Sequence, residues 1–471
     1  MSNPFGAEDF IPFDFDDPGP STSTHNSPPP SNQTTNPNSR SNSLCPRDGT
    51  PSNIRRNQAR DSVSSRAAGK KRKLDDRDDD GRSKKEKVQA RSRHTPWASD
   101  VDWEKCRNGA EMLHREIMAF DRWLAPTRPE HEVRVMVIEL IRKAITAQWR
   151  DAKVFSFGSQ ETRLYLPQGD IDLVVVSDAM EYQRREGVLR NMAACLRRNN
   201  LATDVTVIAR AKVPIVKFVC TYGKLKVDIS VNQTNGLEAA RFVNGWLDKM
   251  ICMRPLVMTT KHLLAQRGMS EVFSGGLGSY SVIILVISFL QLHPKIQRGE
   301  IDPNRNLGVL FLEFLELYGK YFGYDNCGIS IRGKGGYFSK ARRGWKDERK
   351  PFMLCLEDPQ DPTNDISKGS YSIINVRSTL GGAFDILTAA ICERANDERA
   401  RNEILNDSNT EEKDPNSLLG TILGVSKSMV RQRKDMEDLY HSGVLQYKLG
   451  RPAPPSSPPP ARSPPPAQTP R

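Results

Sequence analysis

The chain has no closely spaced cysteine pair. Its eight cysteines, Cys45, Cys106, Cys195, Cys220, Cys252, Cys327, Cys355 and Cys392, are scattered singly, and no C-x-x-C occurs. The seven histidines form no ligand spacing with them. Structural zinc is therefore not expected, and ordinary thiols in a reducing compartment are. Long hydrophobic runs are also missing. The longest, Val282 to Leu290, is interrupted by Ser288 and is far too short to span a bilayer, so no membrane partner is expected. Residues 1–20 are acidic and carry proline, where a secretory signal would need a basic end and an apolar stretch.

Positive charge, by contrast, is in excess. Lys and Arg total 69 against 57 Asp and Glu, a formal +12, which favours a polyanionic partner such as RNA. Residues 1 to about 94 are rich in Ser, Pro, Asn, Asp and Arg, with no apolar periodicity, and read as a disordered arm. Two basic clusters lie inside it, Gly69-Lys70-Lys71-Arg72-Lys73-Leu74 and Arg82-Ser83-Lys84-Lys85-Glu86-Lys87. They read as a nuclear import signal or an RNA-binding arm. Phe5, Phe10, Ile11, Phe13 and Phe15 sit among acidic residues as an acidic-aromatic patch, a candidate docking peptide. At the other end, residues 395–471 read as a polar, proline-rich tail, with a basic helix around Lys427–Lys434 inside it. Ten of the 32 prolines lie between Pro452 and Pro470, suited to a spacer or to SH3/WW-type recognition.

Between these ends the pattern becomes regular. Thr127-Arg128-Pro129-Glu130 reads as a capping box with proline in the first turn. Val133, Met136, Val137, Leu140, Ile141 and Ala144 follow at helical spacing and predict one buried face. Phe157-Gly158-Ser159 precedes Gly169-Asp170-Ile171-Asp172-Leu173-Val174-Val175-Val176. Alternation along a strand points Asp170 and Asp172 the same way, with Ile171 and Leu173 towards the core. Leu225-Lys226-Val227-Asp228-Ile229-Ser230-Val231 alternates too, and puts Asp228 on the polar face. Its hairpin partner is Pro214-Ile215-Val216-Lys217-Phe218-Val219, joined through Thr221-Tyr222-Gly223. Three convergent carboxylates can hold two metal ions for in-line phosphoryl displacement, with Mg²⁺ the hard cation suited to carboxylate and phosphate oxygens. Gly158 permits close backbone approach to a phosphate, and the Ser159 hydroxyl can donate to it. These residues imply nucleotidyl transfer.

The G-S, G-D-I-D and V-D-I-S pattern resembles the DNA polymerase beta-type nucleotidyltransferase superfamily. Further segments narrow the resemblance: Pro255 to His262, Gly275-Gly276-Leu277-Gly278-Ser279-Tyr280-Ser281, Ser288 to Pro294, Phe311 to Gly319, and Leu356-Glu357-Asp358-Pro359 with Pro362, Asn364 and Asp365. Together, from about Thr95 to about Glu393, they resemble the TRF (topoisomerase-related function) group of nuclear poly(A) polymerases, the tailing subunits of TRAMP-type complexes. The resemblance implies an α+β fold: a polymerase beta-like palm of mixed sheet and helices at 146–232, and a helical central domain from 97–145 and 233–393. It implies that Asp170 and Asp172 bind both Mg²⁺ (or Mn²⁺) ions and that Asp228 binds the ion activating the primer 3′-hydroxyl, serving there as general base. Gly158, Ser159, Lys261 and Ser279 would hold the triphosphate of ATP, Tyr280 would stack under the base and Asn232 would contact the ribose 2′-hydroxyl.

Base choice falls to the loop after Asp358-Pro359. Related uridylyltransferases carry a histidine at the position of Asn364. Asn364 with Asp365 looks like the adenylating group, although Pro362-Thr363-Asn364-Asp365 also has good turn chemistry. Gln160, Glu161 and Arg163 depart from the family pattern, which leaves primer or phosphate contacts at 160–163 open. The implied product is RNA tailed at its 3′ end for the nuclear exosome, in the nucleus and nucleolus. No RNA-recognition signature or zinc knuckle occurs in the sequence, so the resemblance adds a zinc-knuckle RNA-binding protein and a DExH RNA helicase as partners. The alternatives are a terminal uridylyltransferase or template-independent DNA polymerase on the same fold, and an inactive RNA-decay scaffold.

Overall fold

Alternating apolar residues build the centre of the molecule, a five-stranded sheet in a computed structural model that describes residues 94–211, 213–403 and 417–452. The strands are β1 (Lys153–Phe157), β2 (Ile171–Val176), β3 (Ala202–Ile208), β4 (Ile215–Cys220) and β5 (Lys226–Val231), in spatial order β1-β2-β5-β4-β3. β2 and β5 run parallel at the centre, and the other pairs are antiparallel. Ile171, Leu173, Val175, Val227 and Ile229 are buried on one face. They meet α2 (Arg128–Gln148) and α3 (Arg185–Arg198), which contribute Val133, Met136, Val137, Ile141, Leu189, Met192 and Leu196.

The expected capping box opens α2. Thr127 Oγ1 accepts from the Glu130 backbone, and the Glu130 carboxylate accepts from the Thr127 N–H at 2.7 Å. Such a cap contributes about 1 kcal/mol and fixes where the helix starts. The helix ends at Gln148, just before the turn into β1.

The second module is helical. It comprises α1 (Gly109–Leu124), α4 (Asn235–Lys249), α5 (Met253–Ala265), α6 (Ser279–Leu292), α7 (Leu307–Glu316) and α8 (Ile373–Glu403), with a small hairpin, β6 (Cys327–Ser330) and β7 (Gly336–Ser339). α6 is apolar on nearly every side and lies inside the module, as its sequence predicts. Among the described residues, no helix is long and apolar enough to cross a membrane.

Two boundaries differ from the sequence reading. The segment 97–145 does not belong wholly to the helical module. α1 does, through Met112, Leu113, Ile117 and Phe120, but α2 turns its apolar face onto the palm sheet. Nor is 395–471 simply a polar tail. Leu418, Leu419, Ile422 and Leu423 are buried in the helical core, and α9 (Lys427–His441) and α10 (Val444–Leu449) then place Met436, Leu445 and Leu449 in the palm core. Their apolar side chains are few per turn among many charges, so average polarity conceals them. Buried polar groups anchor the segment. Glu116 accepts from Trp97 Nε1 at 3.0 Å and from the Leu419 N–H at 2.9 Å. Arg433 bonds the carbonyls of Trp123 and Ala125 and pairs with Glu130 at 2.9 Å. The N-terminal basic clusters, the acidic-aromatic patch and the proline tail beyond Pro452 lie outside the described residues.

Candidate active site

The sheet face opposite α2 and α3 carries the acidic groups. Asp172 on β2 and Asp228 on β5 are direct neighbours in the parallel ladder, so register alone sets their carboxylates side by side. Asp170 comes just before β2, after the turn Pro167–Gly169. Arg134 on α2, almost fully buried, donates to the carbonyls of Gly169 at 2.7 Å and Pro167 at 3.3 Å and so fixes that turn.

A residue to which the sequence reading gave no role completes the cluster. Lys217 on β4 stands opposite Asp228 in the antiparallel ladder. Its Nζ lies 3.1 Å from Asp228 Oδ2 and 3.4 Å from Asp170 Oδ2. The signal was present in the sequence: Val216 and Phe218 face the core, so Lys217 must share the polar face with Asp228.

The electrostatics follow from this crowding. Burial, then the charges of Asp228 and Asp170, push the Asp172 carboxyl up to about 6. Burial also raises Asp228, with Lys217 pulling the other way. Asp228 Oδ1 is buried and has no hydrogen-bond partner, a costly state unless a cation or donor reaches it. Among the described residues no three ligand side chains close into a metal cage. Lys217 lies between Asp170 and Asp228, where it balances their charge. The hard oxygen donors, their mutual repulsion and the unpartnered Oδ1 nevertheless fit a divalent cation.

Gly158 adjoins Asp172. Its φ is +61°, and a Cβ there would lie 3.0 Å from Asp172 Oδ2, so only glycine fits. Ser159 opens the single helical turn that follows, Ser159–Thr162. From the helical module, Lys261 on α5 is buried and donates to the Leu164 carbonyl. Burial lowers it to about 8, partly offset by the nearby charge of Asp172. Ser279 and Tyr280 form the first turn of α6. The Tyr280 hydroxyl is buried without a partner, and burial, with the charge of Asp358, holds it well above the usual phenol range. Asp358 also accepts from Asn364 Nδ2 at 3.0 Å. Asn364 thus bonds the carboxylate whose charge acts on Tyr280.

Two of the expected contact residues also have partners within the protein. Asn232 lies just past the end of β5, in a bend with φ +53°. Its side-chain amide accepts from the Ser177 N–H at 2.9 Å and donates to the Ser177 carbonyl at 3.0 Å. Asn232 thus fastens the far end of the sheet. Asp365 is also structural in its contacts: its Oδ1 accepts from Leu356 N, Ser367 N and Ser367 Oγ at 3.0, 2.9 and 2.7 Å. It shapes the loop that presents Asn364.

Similarity to known proteins agrees with this geometry. Residues 113–248 match the poly(A) RNA polymerase, mitochondrial-like, central palm domain, and 306–364 match the Cid1 family poly A polymerase domain. The chain is 47% identical over 375 residues to poly(A) RNA polymerase CID14 of Cryptococcus neoformans, covering 79% of this chain and 49% of that protein. It spans about half the length of the curated relatives it matches. A solved polymerase core of TRAMP, an RNA surveillance complex, superposes with a TM-score of 0.59 at 41% identity, covering 63% of this chain and 93% of that one. A Cid1 poly(U) polymerase structure shares the fold at 18% identity and a TM-score of 0.50, over 66% of this chain and 99% of that one.

Proposed function

Because the chain belongs to the Cid1-type poly(A) polymerase family, on the polymerase beta-like nucleotidyltransferase fold, we propose that it adds AMP from ATP to RNA 3′ ends without a template. The observation that carries this reading is the pairing of Asp172 with Asp228 on adjacent strands, with Asp170 beside them. In the proposed reaction the primer 3′-oxygen bonds to the α-phosphorus of ATP as the bond to pyrophosphate breaks. Asp228 takes the hydroxyl proton. Gly158 lets the backbone approach the phosphates, and Ser159 and Ser279 donate to them. Lys261 adds a positive charge from the helical side. Divalent metal, Mg²⁺ or Mn²⁺, held by Asp170, Asp172 and Asp228, would supply the charge that stabilises the transferring phosphoryl group.

Tyr280 offers a ring to the base, and Asn364 an amide to its edge. A poly(U) reading has support in the shared fold of a Cid1 poly(U) polymerase, yet asparagine rather than histidine at position 364 favours ATP. The intact carboxylate set speaks against an inactive scaffold. The similarity to a TRAMP core supports a nuclear surveillance role, with a zinc-knuckle RNA-binding protein, a DExH helicase and the exosome as partners. Primer extension of a single-stranded RNA with each of the four NTPs tests the reading. ATP should be the preferred substrate, and preferential use of UTP would reassign the enzyme.

A further inference from the structure

The loop between α5 and α6 ends in an aromatic side chain that touches almost nothing. Phe273 is 97% exposed, and Val272 next to it and Tyr371, which bonds its carbonyl, are about half exposed. Contiguous exposed apolar side chains mark interaction surfaces, and the loop that carries these is fastened closely. Gly275 N donates to Val272 O and Gly276 N to Glu271 O, both at 2.9 Å, and Leu277 N donates to Met269 O at 2.8 Å. Tyr371 Oη donates to the Phe273 carbonyl at 3.0 Å, and Ser372 N to the Gly275 carbonyl at 2.9 Å. Gly275 has φ +81°, and a Cβ on Gly276 would meet Met269 O at 2.4 Å, so two glycines permit the tight path. The ring is therefore held out on a rigid mount.

The mount adjoins the helical half of the site. On one side Glu271 is within electrostatic reach of Asp228. On the other, Val272 packs against Gly278, the residue that opens α6 before Ser279 and Tyr280. We propose that Phe273 is a stacking platform for the terminal base of the RNA primer. A flat apolar face beside the start of α6, where Ser279 and Tyr280 stand, offers what scattered surface Lys and Arg cannot: a register for the last nucleotide. Stacking is indifferent to base identity, which suits an enzyme that must accept any 3′ end and then its own product.

The inference rests on the RNA-tailing reading, and the experiment separates the two. A single-stranded RNA with a fluorescent purine analogue as its last base is titrated into the full chain without nucleotide, and primer extension is measured in parallel. The wild-type chain should quench the analogue. Phe273→Ala should abolish the quench and raise the KM for primer roughly five- to thirty-fold. Its kcat and KM for ATP should stay unchanged, and Phe273→Trp should restore both readouts. Unchanged quench and primer KM in a folded Phe273→Ala chain would overturn the proposal. So would a defect seen only when a protein partner is added, which would make the patch a protein-docking surface. If the wild-type chain extends no RNA, the tailing reading falls, while a Phe273-dependent quench would still establish the platform.

Discussion

The palm and the helical module hold their polar groups by different means. In the palm, Asp172, Asp228 and Lys217 occupy neighbouring rungs of three hydrogen-bonded strands, so the backbone ladder sets their separation. In the helical module, Lys261, Tyr280 and Asn364 come from a helix interior, a helix start and a loop, and no backbone ladder sets their separations. The charges that would do the chemistry are fixed by the sheet, while the groups that would choose the substrate are fixed by side-chain contacts. Selectivity can therefore change without disturbing the reacting centre.

The sharpest break of that division is on the palm side. Asp170→Ala, Asp172→Ala or Asp228→Ala should cut RNA tailing by at least roughly 10²–10³, the scale of losing a main transition-state electrostatic group. Circular dichroism should show the fold retained, and ready incorporation by the Asp170/Asp172 double variant would refute the site. Next in size is the contact tying α9 to the start of α2. Arg433→Ala leaves Glu130 and the carbonyls of Trp123 and Ala125 without their partner. It should destabilise the chain by about 3 kcal/mol in urea unfolding.

Metal removal tests the palm more finely. In EDTA, Asp172 titrates near 6 in the folded chain, above the ordinary carboxylate value. The native state then holds the extra proton between about pH 4 and 6, so stability should fall as pH rises through that window, by about 1–3 kcal/mol. Asp172→Asn should flatten the slope and raise the melting temperature in EDTA. A pH-independent wild type would show that Lys217 already neutralises the cluster. The smallest effects belong to the helical side. Asn364→His should move preference from ATP towards UTP by about 1–3 kcal/mol, roughly five- to 150-fold in relative kcat/KM. Tyr280→Ala should weaken all nucleotides without reordering them. An unchanged ATP/UTP ratio in an active Asn364→His enzyme would mean that base choice lies elsewhere.

Legibility in the sequence followed the same division. The period of two exposed the three aspartates and their shared face, and the capping box at Thr127 located a helix start. Lys217 obeys the same alternation and was legible in principle, but a lysine on a strand has no distinctive spacing of its own. The hydrogen bonds of Asn232 and Asp365 were not legible, because family position says nothing about the Ser177 backbone or about Leu356 and Ser367. Residues 417–452 were opaque for a different reason. Their buried side chains face two separate cores, so no single periodic face marks them.

That last segment bears on how the jaws of the cleft can move. Among the described residues the chain crosses between the modules three times, at residues 125–127, at 232–235 and within α9, between Met429 in the helical core and Met436 in the palm core. Arg433 grips the first on both sides, through Trp123 and Ala125 before it and Glu130 after it. The second begins at Asn232, whose amide is locked to Ser177. With the first crossing held by Arg433 and the second fixed at its root, the two modules should resist swinging against each other. Substrates would then meet a mouth of nearly constant width, and selection would rest on fit to a preset gap more than on closure around a guest.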